Sequence, residues 1–352
     1  MLSLPLLLAA CAPPEAARYL AWQRAQDGVY AVAPRDLGTL DDLAAVAGAM
    51  GTVRQGGQVM LEDDGGMAYT GSRALHVGYD VQRGVAVPLD GEGLLLWSFY
   101  AHLEDIAAEL SDHDLDPAEY LPVDTAWTPV IPDVLLELLP QENAAYATGG
   151  HFFILLADLT DKEVPLAANA GIVRHEFGHA VFHRLTCGAP LAPPPYDTAD
   201  ESAGSLYYGS LHEGFADSFA GLTLDDPEFI AASLDLEERR LDGDQTLEGV
   251  ELPEDFLASA EEDLLAIYDP YALGSVIAAT AWDLRTALDD PDRALAVLIA
   301  TTRAWTEAGA FGDAWGFLRI WAETAAPGEE RDALCTALRT RFGEHAPAEC
   351  DP

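Results

Sequence analysis

The chain has 352 residues, of which 49% are hydrophobic, and this suffices for the core of one large domain or two medium ones. Acidic residues outnumber basic ones by 60 to 18, and the net charge of −42 repels nucleic acid and anionic lipid headgroups, so neither is expected as a partner. The apolar run at the start is too short to span a bilayer as a helix, and no other stretch reaches the length that a transmembrane helix needs.

The chain begins with a short apolar run that ends in small residues before a cysteine. Residues 8–11, with the sequence LAAC, resemble the bacterial lipobox, in which cleavage precedes the cysteine and the cysteine is then acylated. The resemblance implies a signal peptide over residues 1–11 and an extracytoplasmic lipoprotein of the outer membrane or cell surface, which contacts the membrane only through a lipid on Cys11. No Lys or Arg precedes the apolar run, and an ordinary N-terminal segment is the alternative.

The region after the cysteine changes character twice. Residues 12–50 are predicted as a tether and an alanine-rich helical leader that packs on the body of the protein. Over residues 52–96, short apolar and β-branched runs are separated by glycines, which predicts strands and tight turns. Residues 95–110 then favour an amphipathic helix, with His102 on its solvated face.

An H-E-x-x-H sequence lies within residues 167–185, where apolar residues recur at helical spacing without a proline. Residues four apart share one face of a helix, so His175 and His179 can present two imidazole nitrogens to one metal ion. Glu176 then lies beside the ion without binding it, where a general base for an activated water belongs. The alternative is a helix with two partly buried histidines.

A catalytic zinc ion needs a third protein ligand and keeps its fourth position for water. His183 continues the helical stripe but stands about 12 Å along the axis from His175, so the two cannot share an ion. The metzincin class would place its third histidine at position 185 and a glycine at position 182. The chain has Leu185 and Phe182 there, which excludes that class.

A second apolar segment with helical spacing covers residues 206–222. Glu213 and Asp217 are four residues apart, so both carboxylates fall on one face of this predicted helix. One carboxylate can bind the ion while the other accepts the N–H of a ligand histidine. The alternative is an exposed acidic face.

An H-E-x-x-H sequence followed on a later helix by E-x-x-x-D is similar to the gluzincin metallopeptidases of the thermolysin and fungalysin type. This resemblance implies that His175, His179 and Glu213 are zinc ligands, that Glu176 is the general base, and that Asp217 orients a ligand histidine. It also implies a zincin-like α+β fold. In such a fold a mixed strand and helix half places an edge strand over the H-E-x-x-H helix, and the C-terminal half is all helical.

The same resemblance suggests further site residues. Asn143 and Ala144 correspond to the start of a sheet edge that borders the cleft and binds substrate; alternatively, Asn143 caps a turn and the strand is internal. Tyr271 stands where a gluzincin often has a histidine, so it is the first candidate to donate a hydrogen bond to the oxyanion. His212 and Tyr208 are the next candidates, and packing at a helix start is the alternative for Tyr271.

We expect an α+β subdomain over residues 51–188 and a helical subdomain over residues 189–352 that carries the third zinc ligand. The helices predicted after the H-E-x-x-H segment cover residues 206–222, 253–268, 273–288, 293–306, 311–324 and 329–342. In an oxidising compartment Cys335 and Cys350 could close a short loop, which leaves Cys187 over.

Metals other than zinc have weaker signals. The acidic turns at residues 112–117 and 242–244 have weak potential for structural Ca²⁺, because neither matches an EF-hand loop.

These patterns predict a secreted, lipid-anchored and monomeric zinc peptidase that hydrolyses peptide or protein substrates. Whether it is an endopeptidase or an aminopeptidase stays open. Two other classes also stay open: a surface lipoprotein that keeps the zinc and binds peptides without cleaving them, and a structural acidic envelope protein without stoichiometric zinc.

Overall fold

The computed structural model describes residues 16–25, 27–61, 67–132, 144–147, 152–155, 162–189, 202–260, 267–309 and 313–351. The predicted lipobox with Cys11 and the predicted substrate residue Asn143 lie outside the described residues. The described part of the chain has an α+β fold with mixed sheets, as predicted. None of its helices is both long and apolar enough to cross a membrane.

All strands of the described residues lie before residue 156. They are β1 (Arg18–Arg24), β2 (Tyr30–Asp36), β3 (Leu40–Asp42), β4 (Ala47–Gly48), β5 (Gly51–Gln55), β6 (Gln58–Leu61), β7 (Met67–Thr70), β8 (Arg73–Ala74), β9 (Tyr79–Gln82), β10 (Val85–Pro88), β11 (Val123–Trp127), β12 (Ala144–Ala147) and β13 (Phe152–Leu155). One sheet has the order β2-β1-β10-β9, another has the order β12-β13-β11-β5-β4-β3 with β8 beside β5, and β6 pairs with β7. Strand β12 is antiparallel to β13 and lies at the edge of the larger sheet.

One long helix lies between the strands, and the other helices follow them. The α-helices are α1 (Gly91–Asp112), α2 (Ala170–Cys187), α3 (Ala203–Leu224), α4 (Pro253–Ala260), α5 (Pro270–Leu288), α6 (Pro291–Glu307), α7 (Ala314–Thr324) and α8 (Glu329–Phe342). Most begin at an Asn, Asp or Ser whose side chain accepts a backbone N–H, which stabilises the first turn. The helices predicted from apolar spacing are confirmed, and most of their ends move by a few residues. Of the helix predicted over residues 253–268, Pro253–Ala260 is helical, and residues 261–266 lie outside the described residues.

The predicted helical leader is wrong, because residues 18–48 form strands β1 to β4. Along β1, Tyr19 and Ala21 are buried while Arg18 is exposed, and this period of two belongs to a strand. Pairing with β2 and β10 stabilises the strand and outweighs the high helix propensity of its alanines. Strand β4 pairs with β5 across residue 51, the predicted start of the α+β subdomain.

Helix α1 packs on the start of α2, and this contact contradicts the solvated position predicted for His102. The His102 side chain is 2% exposed, and its Nε2 lies 3.0 Å from the carbonyl oxygen of Ala168. Immediately before His175 in the chain, Arg174 donates from Nε to Glu109 Oε2 of α1 at 3.1 Å. These contacts fix the H-E-x-x-H helix against the strand-containing half.

Helices α2 and α3 approach each other closely through small residues. A Cβ at Gly178 would lie 2.8 Å from Ala216 Cα, so only glycine fits at this crossing. On the other side of α3, a Cβ at Gly214 would lie 2.7 Å from the carbonyl oxygen of Gly274 in α5. Helix α3 is therefore packed between α2 and α5. Its face with Glu213 and Asp217 lies against the face of α2 that carries His175 and His179.

The cysteines of the described residues behave as the spacing suggested. Cys335 and Cys350 form a disulfide that links α8 to the C-terminal segment. Cys187 is free and half-buried at the end of α2.

Candidate metal centre

Helix α2 presents the two motif histidines on one face. The helix begins at Asn169, whose side-chain oxygen accepts the N–H of Gly171 at 2.8 Å, and it ends at Gly188 in the left-handed conformation. The Nε2 atoms of His175 and His179 lie 3.1 Å apart. Burial lowers the pKa of both imidazoles and keeps them neutral, which is the form that binds a metal ion.

Glu213 on α3 completes a triangle with these two nitrogens. Its Oε2 lies 3.5 Å from His175 Nε2 and 3.5 Å from His179 Nε2. Within the described residues this buried oxygen has no hydrogen-bond partner. Burial raises the pKa of Glu213 to about 8, although the nearby Arg239 opposes the rise. A buried carboxylate oxygen without a partner is costly, and a cation between it and the imidazoles would remove that cost.

Asp217 lies one turn further along α3 and contacts the outer nitrogen of His175. Its Oδ1 is 2.8 Å from His175 Nδ1, and its Oδ2 accepts a hydrogen bond from Arg239 Nε at 3.2 Å. Burial alone would raise the pKa of Asp217, but Arg239 and His175 outweigh it and lower the pKa. The ionised Asp217 therefore accepts the Nδ1–H of His175, which leaves Nε2 as the nitrogen that faces Glu213.

Glu176 occupies the side of the site next to the sheet edge. Its Oε2 accepts a hydrogen bond from the backbone N–H of Tyr146 in β12 at 2.9 Å. Burial and the charge of Glu213 raise the pKa of Glu176 well above its ordinary value. Two carboxylates thus flank the histidine pair: Glu176 has a hydrogen-bond donor from the protein, whereas Oε2 of Glu213 has none among the described residues.

The buried group of His175, Glu176 and His179 could hold a metal ion. Two imidazole nitrogens with carboxylate oxygens suit zinc, so the residues fit the predicted ion.

The acidic turns proposed for calcium do not form such a group within the described part of the chain. Asp116 accepts the N–H of Ala118, and Asp242 accepts from Arg240.

A cavity of about 300 Å³ opens onto the histidine pair. Strand β12 forms one wall, and apolar side chains that include Ile172, Ile230 and Leu234 form another. Among the described strands, β12 is the last of its sheet, and Ala144 lines the cavity, as expected for a strand that borders a cleft. A role of Ala144 in substrate binding stays a prediction.

Tyr271 lies at the cavity, beside Glu213. The ring is 38% exposed, and the guanidinium carbon of Arg239 is 4.6 Å from its centre. Burial, together with the nearby carboxylate of Glu213, raises the pKa of Tyr271. The phenol therefore stays protonated at neutral pH and can donate a hydrogen bond.

Of the two other candidate donors, His212 also lines the cavity, and it packs against His179. His212 Nε2 is 3.2 Å from the carbonyl oxygen of His179. Tyr208 lies behind His212, where its hydroxyl is 2.8 Å from Thr186 Oγ1.

Sequence reasoning missed Arg239, which belongs to the 3₁₀ helix Glu237–Arg239. Its Nη2 also contacts Oδ1 of Asp217, so the guanidinium forms a two-point ion pair with that carboxylate. The surrounding stretch is rich in charged residues and indicates only an exposed turn, so no signal in the sequence distinguished this arginine.

A scan against models of known protein families found no match, and a comparison with curated proteins found none either. The assignment of a function therefore depends on the residues of the site and their geometry.

Proposed function

We propose that the chain is a zinc-dependent peptidase of the gluzincin type, in which His175, His179 and Glu213 hold the ion. The triangle of 3.1, 3.5 and 3.5 Å formed by their inner atoms carries the proposal. Ligands about 2.1 Å from a tetrahedral ion are roughly 3.4 Å apart, so a triangle of this size suits one zinc ion. The cavity beside the triangle leaves the fourth corner accessible.

Zinc bound there would supply a Lewis acid for a peptide carbonyl and for a water. Glu176 is the general base of the proposal, because its carboxylate lies at the cavity next to the histidine pair. Its raised pKa suits a group that accepts a proton during attack and returns it to the leaving amine near neutral pH. The N–H of Tyr146 orients the carboxylate for that task.

The walls of the cavity support a peptide as the substrate. Strand β12 lies at the sheet edge, where an extended chain can align with it. Tyr271 provides a neutral hydroxyl at the cavity that can donate to the oxyanion of the tetrahedral intermediate. The separation of the strands from the later helices, with the site between them, favours the zincin-like fold.

Hydrolysis of a quenched-peptide library by the purified full chain tests the proposal. We expect one zinc ion per chain, loss of hydrolysis after chelation, and recovery after one equivalent of zinc is added. Stoichiometric zinc without cleavage of any peptide would support the silent peptide-binding lipoprotein instead. Zinc well below one ion per chain after gentle purification would support a structural protein.

A further inference from the structure

Four rings stack one behind another from the metal centre into the helical half of the protein. The ring centres of His179 and His212 are 4.4 Å apart, with 31° between the ring planes. Tyr208 follows at 5.9 Å and 18° from His212, and Trp305 follows at 6.4 Å and 22° from Tyr208. We call these four residues the ring column. It includes His179, one of the two motif histidines, and continues through His212 and Tyr208 to Trp305.

The two histidines differ in what holds their outer nitrogens. His175 Nδ1 is 2.8 Å from Asp217 Oδ1, which fixes the orientation of the ring. In contrast, His179 Nδ1 is buried and has no hydrogen-bond partner among the described residues. A metal-binding imidazole ordinarily donates its second N–H to an acceptor that orients it. The orientation of His179 therefore needs another cause.

His212 is held in place by several contacts, so it can fix the orientation of the His179 ring. His212 Nε2 lies 3.2 Å from the carbonyl oxygen of His179, and because a carbonyl oxygen only accepts, this nitrogen carries the proton and donates it. The ring of Phe182 packs edge-on against it, 5.0 Å away at 64°. Tyr208 supports the opposite side and is anchored through its hydroxyl to Thr186. A ring held in this way presents a rigid flat surface to His179.

We propose that His212 is a positioning residue, whose ring face sets the orientation of the His179 imidazole in place of a hydrogen bond to Nδ1. This role differs from oxyanion stabilisation, because the Nε2–H of His212 points to a backbone carbonyl. The inference rests on the proposed metal centre but does not require that the chain hydrolyse peptides. Without the ring of His212, the imidazole of His179 would have more rotational freedom, and binding of the ion would have to order it.

Two substitutions separate the ring face from the hydrogen bond. His212→Phe keeps an aromatic face and removes the N–H, whereas His212→Asn keeps a side-chain donor and removes the ring. Zinc affinity is measured by competition with a chromophoric chelator, without substrate. We expect His212→Phe to bind zinc within about threefold of the unchanged chain, and His212→Asn to bind it about tenfold more weakly, the lower end of the usual effect for residues that orient a ligand.

A matched control is the histidine that stacks on an aromatic ring away from the site. His345 lies 4.5 Å from Trp315, with 23° between the planes, and lines a different cavity. His345→Asn should leave zinc affinity unchanged. The visible spectrum of the Co²⁺-loaded protein gives a second readout, because it reports ligand geometry. We expect it to change in His212→Asn and to be preserved in His212→Phe.

Three results would overturn the inference. Zinc affinity of His212→Asn within threefold of the unchanged chain would mean that nothing depends on the ring. A His212→Phe variant as weak as His212→Asn would assign the positioning to the hydrogen bond. If the unchanged chain bound no zinc, the metal centre itself would be refuted, whereas zinc binding without hydrolysis would refute only the peptidase. Should His212→Asn fail to fold, His212→Leu replaces it, with the same expected loss.

Discussion

The two carboxylates beside the histidine pair should respond in opposite ways to the same small change. In Glu176→Gln and Glu213→Gln, one carboxylate oxygen becomes an amide nitrogen while the size of the side chain is kept. The Oε2 of Glu176 already accepts a hydrogen bond from Tyr146, and the amide oxygen of glutamine can accept the same bond. Glu213 Oε2 has no such partner among the described residues and lies 3.5 Å from Nε2 of both histidines. The negative charge of Glu213 is therefore needed to bind the ion.

The magnitudes follow from these roles. A general base contributes about 10²- to 10⁴-fold to rate, so Glu176→Gln should lower kcat by that factor, roughly 2.7 to 5.4 kcal/mol in activation free energy. Its zinc content should stay at one ion per chain. Glu213→Gln should lose zinc on dialysis against a weak chelator, because two imidazoles alone form an incomplete site for the ion.

The assay measures zinc per chain and peptide hydrolysis on the same preparations. Thermal unfolding of both variants checks that they are folded. If Glu176→Gln loses the zinc and Glu213→Gln keeps it, Glu176 is the ligand and the assignment is reversed. If Glu176→Gln keeps more than about a tenth of the activity, Glu176 is not a general base of ordinary strength.

Other parts of the structure make separate predictions. Asp217→Asn should weaken zinc binding about 10- to 100-fold in chelator competition, because Asp217 orients His175; unchanged affinity would contradict this role. Burial lowers the pKa of His102 below its usual 6.5, so the unfolded chain binds the extra proton and stability falls as pH drops from about 7 to 5, by up to roughly 1.4 kcal/mol per pH unit. His102→Gln should flatten this slope in thermal unfolding, and an equal slope would show that another group causes it. Replacing Cys335 and Cys350 together by alanine opens a loop whose ends are 15 residues apart, which should cost about 3 kcal/mol in denaturant unfolding; a loss below about 1 kcal/mol would contradict this. Gly178→Ala should lower the melting temperature, because the new Cβ would meet Ala216 Cα at 2.8 Å, and an unchanged melting temperature would show that the helices can separate at little cost.

The sequence was most informative where local pattern and packing agree. Most helices after residue 169 bury apolar faces, so their spacing predicted the observed ends to within a few residues. The i to i+4 spacing of His175 with His179 and of Glu213 with Asp217 also predicted which side chains share a face. The structure brings these two faces together, with inner atoms 3.1 to 3.5 Å apart.

Strands β1 to β4 could not be predicted in the same way, because their structure depends on pairing with other strands. Strand β1 pairs with β10, more than sixty residues later, and this pairing decides a segment that local propensity assigns to helix. His102 was placed in solvent for a similar reason, since the segment that buries it lies more than sixty residues away.

Within the site, the missed contacts have no local pattern either. Arg239 lies in a charged stretch, and only the folded chain aligns its guanidinium with Asp217. The N–H of Tyr146 carries no side-chain signature at all. The roles of Arg239 and of the Tyr146 N–H could therefore be found only in the folded structure.

X-ray diffraction at the zinc absorption edge, from crystals of the zinc-loaded chain, tests the proposed zinc site directly. We expect one strong anomalous peak about 2.0 to 2.2 Å from His175 Nε2, His179 Nε2 and a Glu213 oxygen, with a fourth position occupied by solvent. A peak elsewhere, or a fourth protein ligand that closes that position, would contradict it.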